Sequence, residues 1–265
     1  MAFFDSLTTR MPNGVTNCAP WQTMGAAGTP DPTWSHVYAN DFDTYAAGDW
    51  TIALTGTGTV AKTDFDGGAI LVSNTAGATD SQYVQLTNAG FKIHPGKATF
   101  FKFAGQMSDI ANSTFYCGLV QKGATTIASI TDGIFISKDT STTGALTLHV
   151  RQASTNYQVA LPALNALVAA TYFELGIMVD YLGNVAAFFN PTTGSNPISA
   201  AAAASTQNRG RDAALYGANG SPLPAGQTVP VVLPTALLTP AFGLLNASAA
   251  TRTLTVDYIV ASCER

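Results

Sequence analysis

The fold is indicated by residues 171–190, TYFELGIMVDYLGNVAAFFN. Every second position in the first half is apolar: Phe173, Leu175, Ile177 and Val179. This period of two is typical of a β-strand that buries one face. Gly183-Asn184 follows, and both residue types tolerate the positive φ of a tight turn. The alternation then resumes, so the stretch predicts an antiparallel hairpin.

The composition restricts the classes of function. Charged residues make up 11% of the 265 residues, against about 25% in typical soluble domains. Because little charge covers the surface, we expect part of it to be buried against other subunits in a homo-oligomer. The net charge of −4 gives no basic field for nucleic acid. No apolar run approaches the roughly 20 residues that a membrane span needs, so neither nucleic acid nor membrane is an expected partner.

The chain divides into an arm and one sandwich domain. From residue 40 to 265, short alternating segments are separated by turns, which predicts an all-β antiparallel sandwich. Residues 1–39 have no period and contain several prolines, which disfavour helix and central strand. This segment nevertheless carries aromatic residues at Phe3, Phe4, Trp21 and Trp34. We therefore predict an extended N-terminal arm that packs on its own domain or reaches a neighbouring subunit.

A second irregular segment covers residues 190–235 and is rich in Pro, Gly and Ala. Loops of this length are usually functional or ordered by a partner. We expect a long excursion that contacts a partner, with Tyr216 as a contact residue. The alternative is a surface loop that folds back on its own sandwich.

The sequence offers little catalytic chemistry. Glycoside cleavage needs two carboxyl groups roughly 5–10 Å apart, yet the only glutamates, Glu174 and Glu264, belong to no acidic cluster. Asp41 and Asp43 are the best acid pair, if they share a strand face. The chain has three histidines and no Gly-x-Ser-x-Gly motif. We predict no enzyme, no cofactor and no metal ligands; the DFDGG segment at 64–68 reads as a turn rather than a calcium loop.

Cysteine spacing and the N-terminus add two expectations. Cys18, Cys117 and Cys263 are too far apart to predict a disulfide framework or a zinc site. The first residues, MAFFDSLTTRMPNG, do not read as a secretory signal. We therefore expect reduced cysteines and synthesis in a host cytoplasm.

Several segments together resemble a known family. They run in the order NDFDTYAAGDW, DGGAILVSN, KATFFKFAGQM, STFYCGLVQ, the 171–190 hairpin and TLTVDYIVASCER. This succession resembles the concanavalin A-like (laminin G-like) jelly-roll sandwiches of tailed-bacteriophage structural proteins. The resemblance covers residues 41–265 without the excursion, and no active residue can be carried over from it.

The resemblance implies a virion protein. The first expectation is a capsid decoration or cement protein on the outer capsid surface, bound to the major capsid protein and to neighbouring copies of itself. The aromatic residues of the arm would anchor it, since buried aromatic side chains dominate interface energy. The alternative is a carbohydrate-binding tail or fibre adhesin that recognises a host surface glycan. Its candidate aromatic residues are Trp50, Tyr83 and Tyr157.

Overall fold

A computed structural model describes residues 35–65, 67–88, 90–94, 96–140, 143–161, 166–191, 213–215 and 230–265. These residues form two antiparallel β-sheets that pack face to face. The prediction of an all-β jelly-roll sandwich is confirmed. Among the described residues, no helix is long and apolar enough to cross a membrane.

The strands follow one another with short connections, as the turn-rich sequence predicts. In the described residues they are β1 (Ser35–Asn40), β2 (Trp50–Thr55), β3 (Gly58–Thr63), β4 (Ala69–Asn74), β5 (Ser81–Leu86), β6 (Thr99–Met107), β7 (Ser113–Gln121), β8 (Gly133–Lys138), β9 (Leu146–Gln152), β10 (Thr155–Ala160), β11 (Tyr172–Val179), β12 (Val185–Pro191), β13 (Ala213–Leu215), β14 (Leu238–Asn246) and β15 (Arg252–Glu264). A short 3-10 helix, Ala47–Asp49, precedes β2.

The two sheets interleave strands that are distant in sequence. The first sheet has the order β13-β12-β11-β6-β15-β4-β3, with β1 also paired to β15. The second sheet has the order β10-β9-β8-β7-β14-β5-β2. Because β14 lies between β5 and β7, the middle of the second sheet joins residues more than 100 positions apart in the chain.

The predicted hairpin lies in the first sheet. Strand β11 pairs antiparallel with β12, with Val179 opposite Val185 next to the turn. The alternate apolar residues of β11 are buried and their neighbours are half-buried, as the period of two predicts. Gly183 has a φ of +82°, a conformation that suits glycine at a tight turn.

The core between the sheets is rich in phenylalanine. Phe103 lies 5.5 Å from Phe115 and 5.7 Å from Phe242, measured between ring centroids. Phe173 packs edge-on against Phe115 at 5.6 Å. These rings come from both sheets and are almost wholly buried. Burying each ring contributes about 1.5–3 kcal/mol, so this cluster is a main cohesive contact between the sheets.

Two boundaries differ from those expected. Residues 35–39 were expected in the arm, but they lie in β1 and pair with the C-terminal half of β15. Within the expected excursion, 213–215 form β13 and pair with β12, so this part of it folds back on its own sandwich. Backbone pairing with a distant strand has no local sequence signal. The arm residues Phe3, Phe4, Trp21 and Trp34, and Tyr216 of the excursion, lie outside the described residues.

Candidate functional site

A cleft of about 580 Å³ opens on the outer face of the second sheet. That size is within the usual range of small-ligand sites, roughly 300–1,000 Å³. Eight of its fourteen lining residues bear a hydroxyl group: Thr55, Thr79, Ser81, Tyr83, Thr114, Thr126, Ser137 and Thr140. Charged groups are few, with Lys138, Asp139 and Arg151 completing the polar part of the lining.

Neighbouring strands bring the hydroxyl groups together. Thr55 of β2 lies opposite Ser81 of β5, and Ser81 lies opposite Leu245 of β14. Leu245 in turn lies opposite Thr114 of β7. Side chains at paired positions point to the same face of a sheet, so these residues form one row along the floor of the cleft.

A row of aromatic rings continues across the same face beside the cleft. The Tyr83 and Tyr116 ring centroids are 5.4 Å apart, and Tyr116 meets Phe135 edge-on at 6.3 Å. A strand glycine makes room for Tyr116, since a Cβ atom at Gly243 would lie 2.4 Å from Cε1 of Tyr116. The Tyr116 ring can therefore lie close to the backbone of the sheet. Gly118 instead allows the close approach of β8, because its Cβ atom would lie 2.4 Å from the carbonyl oxygen of Ile134.

His149 of β9 ends this aromatic row and is held by hydrogen bonds at both ring nitrogens. Its ring stacks on Phe135 at 4.8 Å. Nδ1 lies 3.2 Å from Oδ1 of Asn156, which also accepts a hydrogen bond from Nε of Arg151. This fixes the proton on Nδ1, so Nε2 accepts the 2.9 Å hydrogen bond from the Ser137 hydroxyl. Burial, reinforced by the charge of Arg151, lowers the pKa of His149 to about 4 against an opposing effect of Asn156.

A loop, residues 122–132, covers the aromatic rings. Its Ala124 and Ile130 are buried against Tyr83, Tyr116 and Phe135. One Arg151 nitrogen donates hydrogen bonds to the carbonyl oxygens of Ile127 at 2.6 Å and of Ile130 at 3.0 Å. The loop thus separates an open cleft from a closed aromatic region on the same sheet face.

Lys138, the last residue of β8, also lines the cleft. Its ammonium group donates to the carbonyl oxygens of Ser113 at 2.7 Å and Asp139 at 2.6 Å. Burial lowers the pKa of Lys138 to about 8, partly opposed by the carboxylates of Asp139 and Asp109. The ammonium group therefore serves first to join β7 and β8 at this end of the sheet.

The first sheet carries a separate polar cluster on its outer face. The hydroxyl of Tyr258 donates to Oε1 of Glu174 at 2.6 Å, and that of Tyr172 donates to Asp257. The ammonium group of Lys102 lies 3.4 Å from Oε2 of Glu174 and 5.0 Å from the centre of the Tyr258 ring. Burial and the neighbouring carboxylates raise the pKa of both tyrosines. Glu174 and Asp257 thus each accept a hydrogen bond from a tyrosine of this cluster.

A β-bulge in β15 creates this cluster. The pairing of β15 with β6 shifts between Val256 and Tyr258, so an extra residue enters β15 there. Asp257 and Tyr258 are consecutive, and both side chains reach partners on β11. In a regular strand consecutive side chains point to opposite faces. The signal in the sequence is the interrupted alternation of apolar residues in TVDYIV. We did not predict a bulge there.

The residues proposed from sequence are distributed over the molecule. Tyr83 lines the cleft but is itself buried, with 3% exposed. Trp50 is 5% exposed and belongs to the core, so its expected role in surface binding is wrong. Tyr157 is half-buried and packs on the core.

The candidate acid pair does not lie on a strand. Asp41 and Asp43 are exposed residues that follow β1. The Asp43 backbone N–H donates to Oδ1 of Asp41 at 3.3 Å, and Phe42 between them is buried with a φ of +57°. The expectation that the two carboxylates share a strand face is wrong, because the chain turns here to bury Phe42.

Neither a metal site nor a disulfide occurs among the described residues. They contain no group of three or more His, Cys, Asp or Glu side chains that could hold a metal ion. Cys117 and Cys263 are free and buried, and burial raises the pKa of both thiols. Cys18 lies outside the described residues.

Comparisons with known proteins identify the fold alone. No family model matches the sequence, and no curated protein matches it. The structure is similar to endo-1,3-beta-glucanase from Streptomyces sioyaensis, with a TM-score of 0.56 and 12% identity over 89% of this chain and 99% of that one. It is similar to peanut lectin, with a TM-score of 0.52 and 10% identity over 86% and 97%. A protein of unknown function from Shewanella oneidensis MR-1 has a TM-score of 0.52 and 11% identity over 88% and 87%.

These neighbours place the chain in one class of fold. It is a concanavalin A-like jelly-roll sandwich of the kind seen in legume lectins. A lectin and a glycanase share this architecture at identities of 10–12%, so fold likeness does not select between binding and catalysis.

Proposed function

We propose that this protein binds carbohydrate in the cleft of the second sheet. The observation that carries the proposal is the lining, in which eight hydroxyl-bearing side chains surround about 580 Å³ beside the ring of Tyr83. Sugars present hydroxyl groups that donate and accept hydrogen bonds, and an apolar face that packs on an aromatic ring. A cleft whose lining combines hydroxyl groups with apolar surface is complementary to both.

Binding is favoured over glycoside cleavage by the carboxylates. Asp139 is the only carboxylate in the described lining of the cleft. Glu174 lies on the outer face of the other sheet, and Glu264 accepts a hydrogen bond from the Ala98 N–H at 2.9 Å. Because glycosidases generally use a pair of carboxyl groups, this arrangement supports recognition without hydrolysis. Absence of enzyme activity stays a prediction.

Of the two virion functions expected from the sequence, this proposal corresponds to the tail or fibre adhesin that attaches to a host glycan. The cement-protein hypothesis depends on the arm and on Tyr216, which lie outside the described residues, and it stays a prediction. Immunogold labelling of intact particles separates the two, since label on fibre tips supports an adhesin and label over the head supports decoration. The sandwich fold is compatible with both.

A glycan array tests the proposal, followed by calorimetry with the glycan selected. We expect binding of neutral oligosaccharides, weakened about three- to tenfold by Thr114→Val, since one hydrogen bond contributes about 0.5–1.5 kcal/mol. The matched control is Thr59→Val on exposed β3 of the first sheet. Absence of any binding on the array would overturn the proposal, as would equal affinities of the two valine variants.

A further inference from the structure

We infer that Tyr83, Tyr116 and Phe135 form a second carbohydrate subsite, closed by the 122–132 loop and opened by a longer oligosaccharide; this rests on the proposed function. The aromatic region is continuous with the cleft. Tyr83 lines the open cleft and also belongs to the cluster beneath the loop, against which the cleft-lining Ile127 of the loop packs. A chain that extends from the cleft along this face therefore meets the loop next.

The Tyr116 hydroxyl is the first observation that points to a ligand. Tyr116 is 1% exposed, and its hydroxyl has no hydrogen-bond partner within the described part of the chain. Leaving a buried polar group without a partner is unfavourable. The closed state therefore carries a cost that a sugar hydroxyl could remove.

The contacts of the loop are the second observation. Its tip is braced internally, since Oγ of Ser129 accepts hydrogen bonds from the N–H groups of Thr125 and Thr126 at 3.0 and 2.9 Å. Its C-terminal end is joined to the sheet by backbone, since the carbonyl oxygens of Thr131 and Asp132 accept from the N–H groups of Ser154 and Gln121 at 2.9 Å. The rest of the loop is attached through side chains. Arg151 donates to two loop carbonyls, Oε1 of Gln85 accepts from the Gly123 N–H at 3.0 Å, and Nε2 of Gln121 donates to the Ser129 carbonyl at 2.9 Å. A segment with its own internal bonds that is fixed by backbone at one end can lift as a unit about that end.

The packing of the rings is the third observation. Gly243 leaves space on the sheet that the Tyr116 ring occupies. Rings seated in the sheet stay in place when the loop leaves, because their support comes from the strands. Opening would thus uncover a preformed aromatic surface, which can bind the apolar faces of successive sugar units.

The length of the oligosaccharide ligand is the variable that tests this inference. The probes are disaccharides and hexasaccharides of β-1,3-, β-1,4- and α-1,4-linked glucose, measured by calorimetry. The loop itself is followed by amide hydrogen exchange of residues 122–132 without ligand. We expect exchange there at least tenfold faster than in β7 and β8, and at least tenfold tighter binding of the hexasaccharide in the series that binds.

Two variants test the role of the loop and the role of the aromatic rings separately. Ile130→Ala removes a buried contact of the loop but no residue of the cleft lining. It should accelerate loop exchange and tighten hexasaccharide binding, because apparent affinity rises with the population of the open state. Ile177→Ala, buried in the first sheet, is the control for general loss of stability.

The second variant, Tyr116→Phe, keeps the ring and removes the buried hydroxyl. It should raise the melting temperature by about 2–4 °C and weaken hexasaccharide binding severalfold, with disaccharide binding unchanged. The exposed Tyr181 supplies the control Tyr181→Phe.

The results distinguish this inference from the proposed function. If loop exchange is no faster than that of β7 and β8, the closed subsite is refuted while cleft binding can stand. If the loop opens but both chain lengths bind equally, the subsite is again refuted. If the loop opens and the array and all three series show no binding, the proposed function fails and the subsite fails with it.

Discussion

The side-chain amide of Asn74 donates a hydrogen bond to Oδ1 of Asn246 over 3.2 Å, and the two residues are 172 positions apart. Asn74 ends β4 of the first sheet, and Asn246 ends β14 of the second. Both side chains are buried. The Asn246 amide donates in turn to the carbonyl oxygens of Thr75, Gly77 and Ala250 at 2.7, 3.2 and 2.9 Å. This network joins the two sheets at one corner.

The network predicts a large effect for Asn246→Asp. The substitution replaces an amide that donates to three carbonyls by an oxygen that would face them, within a buried site. We expect a loss of about 3 kcal/mol in the free energy of unfolding, measured by urea denaturation. Asn112→Asp is the control, because Asn112 is exposed and Asp tolerates its φ of +52°. A change within about 0.5 kcal/mol for Asn246→Asp would contradict the role of the network.

Gly243→Ala tests the close approach of Tyr116 to the sheet. The added Cβ would lie 2.4 Å from the Tyr116 ring and 2.9 Å from the carbonyl oxygen of Gln82, and overpacking of this kind costs about 1–3 kcal/mol. At Gly176 the nearest atom to an added Cβ is 3.5 Å away. Gly176→Ala is therefore the matched control and should be neutral or slightly stabilising.

The measurement is thermal and urea unfolding of both alanine variants. A further variant, Gly243→Ala combined with Tyr116→Ala, should show a non-additive recovery because the clash is removed. If the changes in the free energy of unfolding of the two single variants simply add in the double variant, the Tyr116 ring is not the group that excludes a side chain at position 243.

His149→Gln tests the pH dependence of stability. Burial lowers the pKa of His149 to about 4 in the folded protein, from an ordinary value of about 6.5. Between these values the unfolded chain binds more protons than the folded one, so stability falls as the pH drops from about 6.5 to 4. The lowered pKa of His149 contributes about 3 kcal/mol to this change in the free energy of unfolding.

The comparison is urea unfolding at a series of pH values from 7 to 4. His149→Gln should lose less stability over that range than the wild type, whereas His94→Gln, in an exposed turn, should follow the wild type. If the free energy of unfolding falls equally with pH in the wild type and in His149→Gln, protonation of the imidazole does not destabilise the folded protein and the prediction is contradicted.

The sequence by itself determined the sandwich and most of its strands. In β11 the apolar residues at every second position face the core as predicted, because strand geometry sends alternate side chains to opposite faces whatever the partner strand. The same local rule failed at Asp257-Tyr258, where a bulge places both side chains with partners on β11. At Trp50 the sequence offered no such guide, and the expected role in surface binding was wrong because the ring is buried in the core.

Only the tertiary structure decided the candidate site. Thr55, Ser81 and Thr114 form one row because β14 pairs with both β5 and β7. Each threonine or serine, seen alone, is an ordinary strand residue. The order of strands is set by how the two apolar faces pack together, a property of the whole chain. For this reason alternation predicts which face a residue occupies, and the fold decides which distant residues become its neighbours.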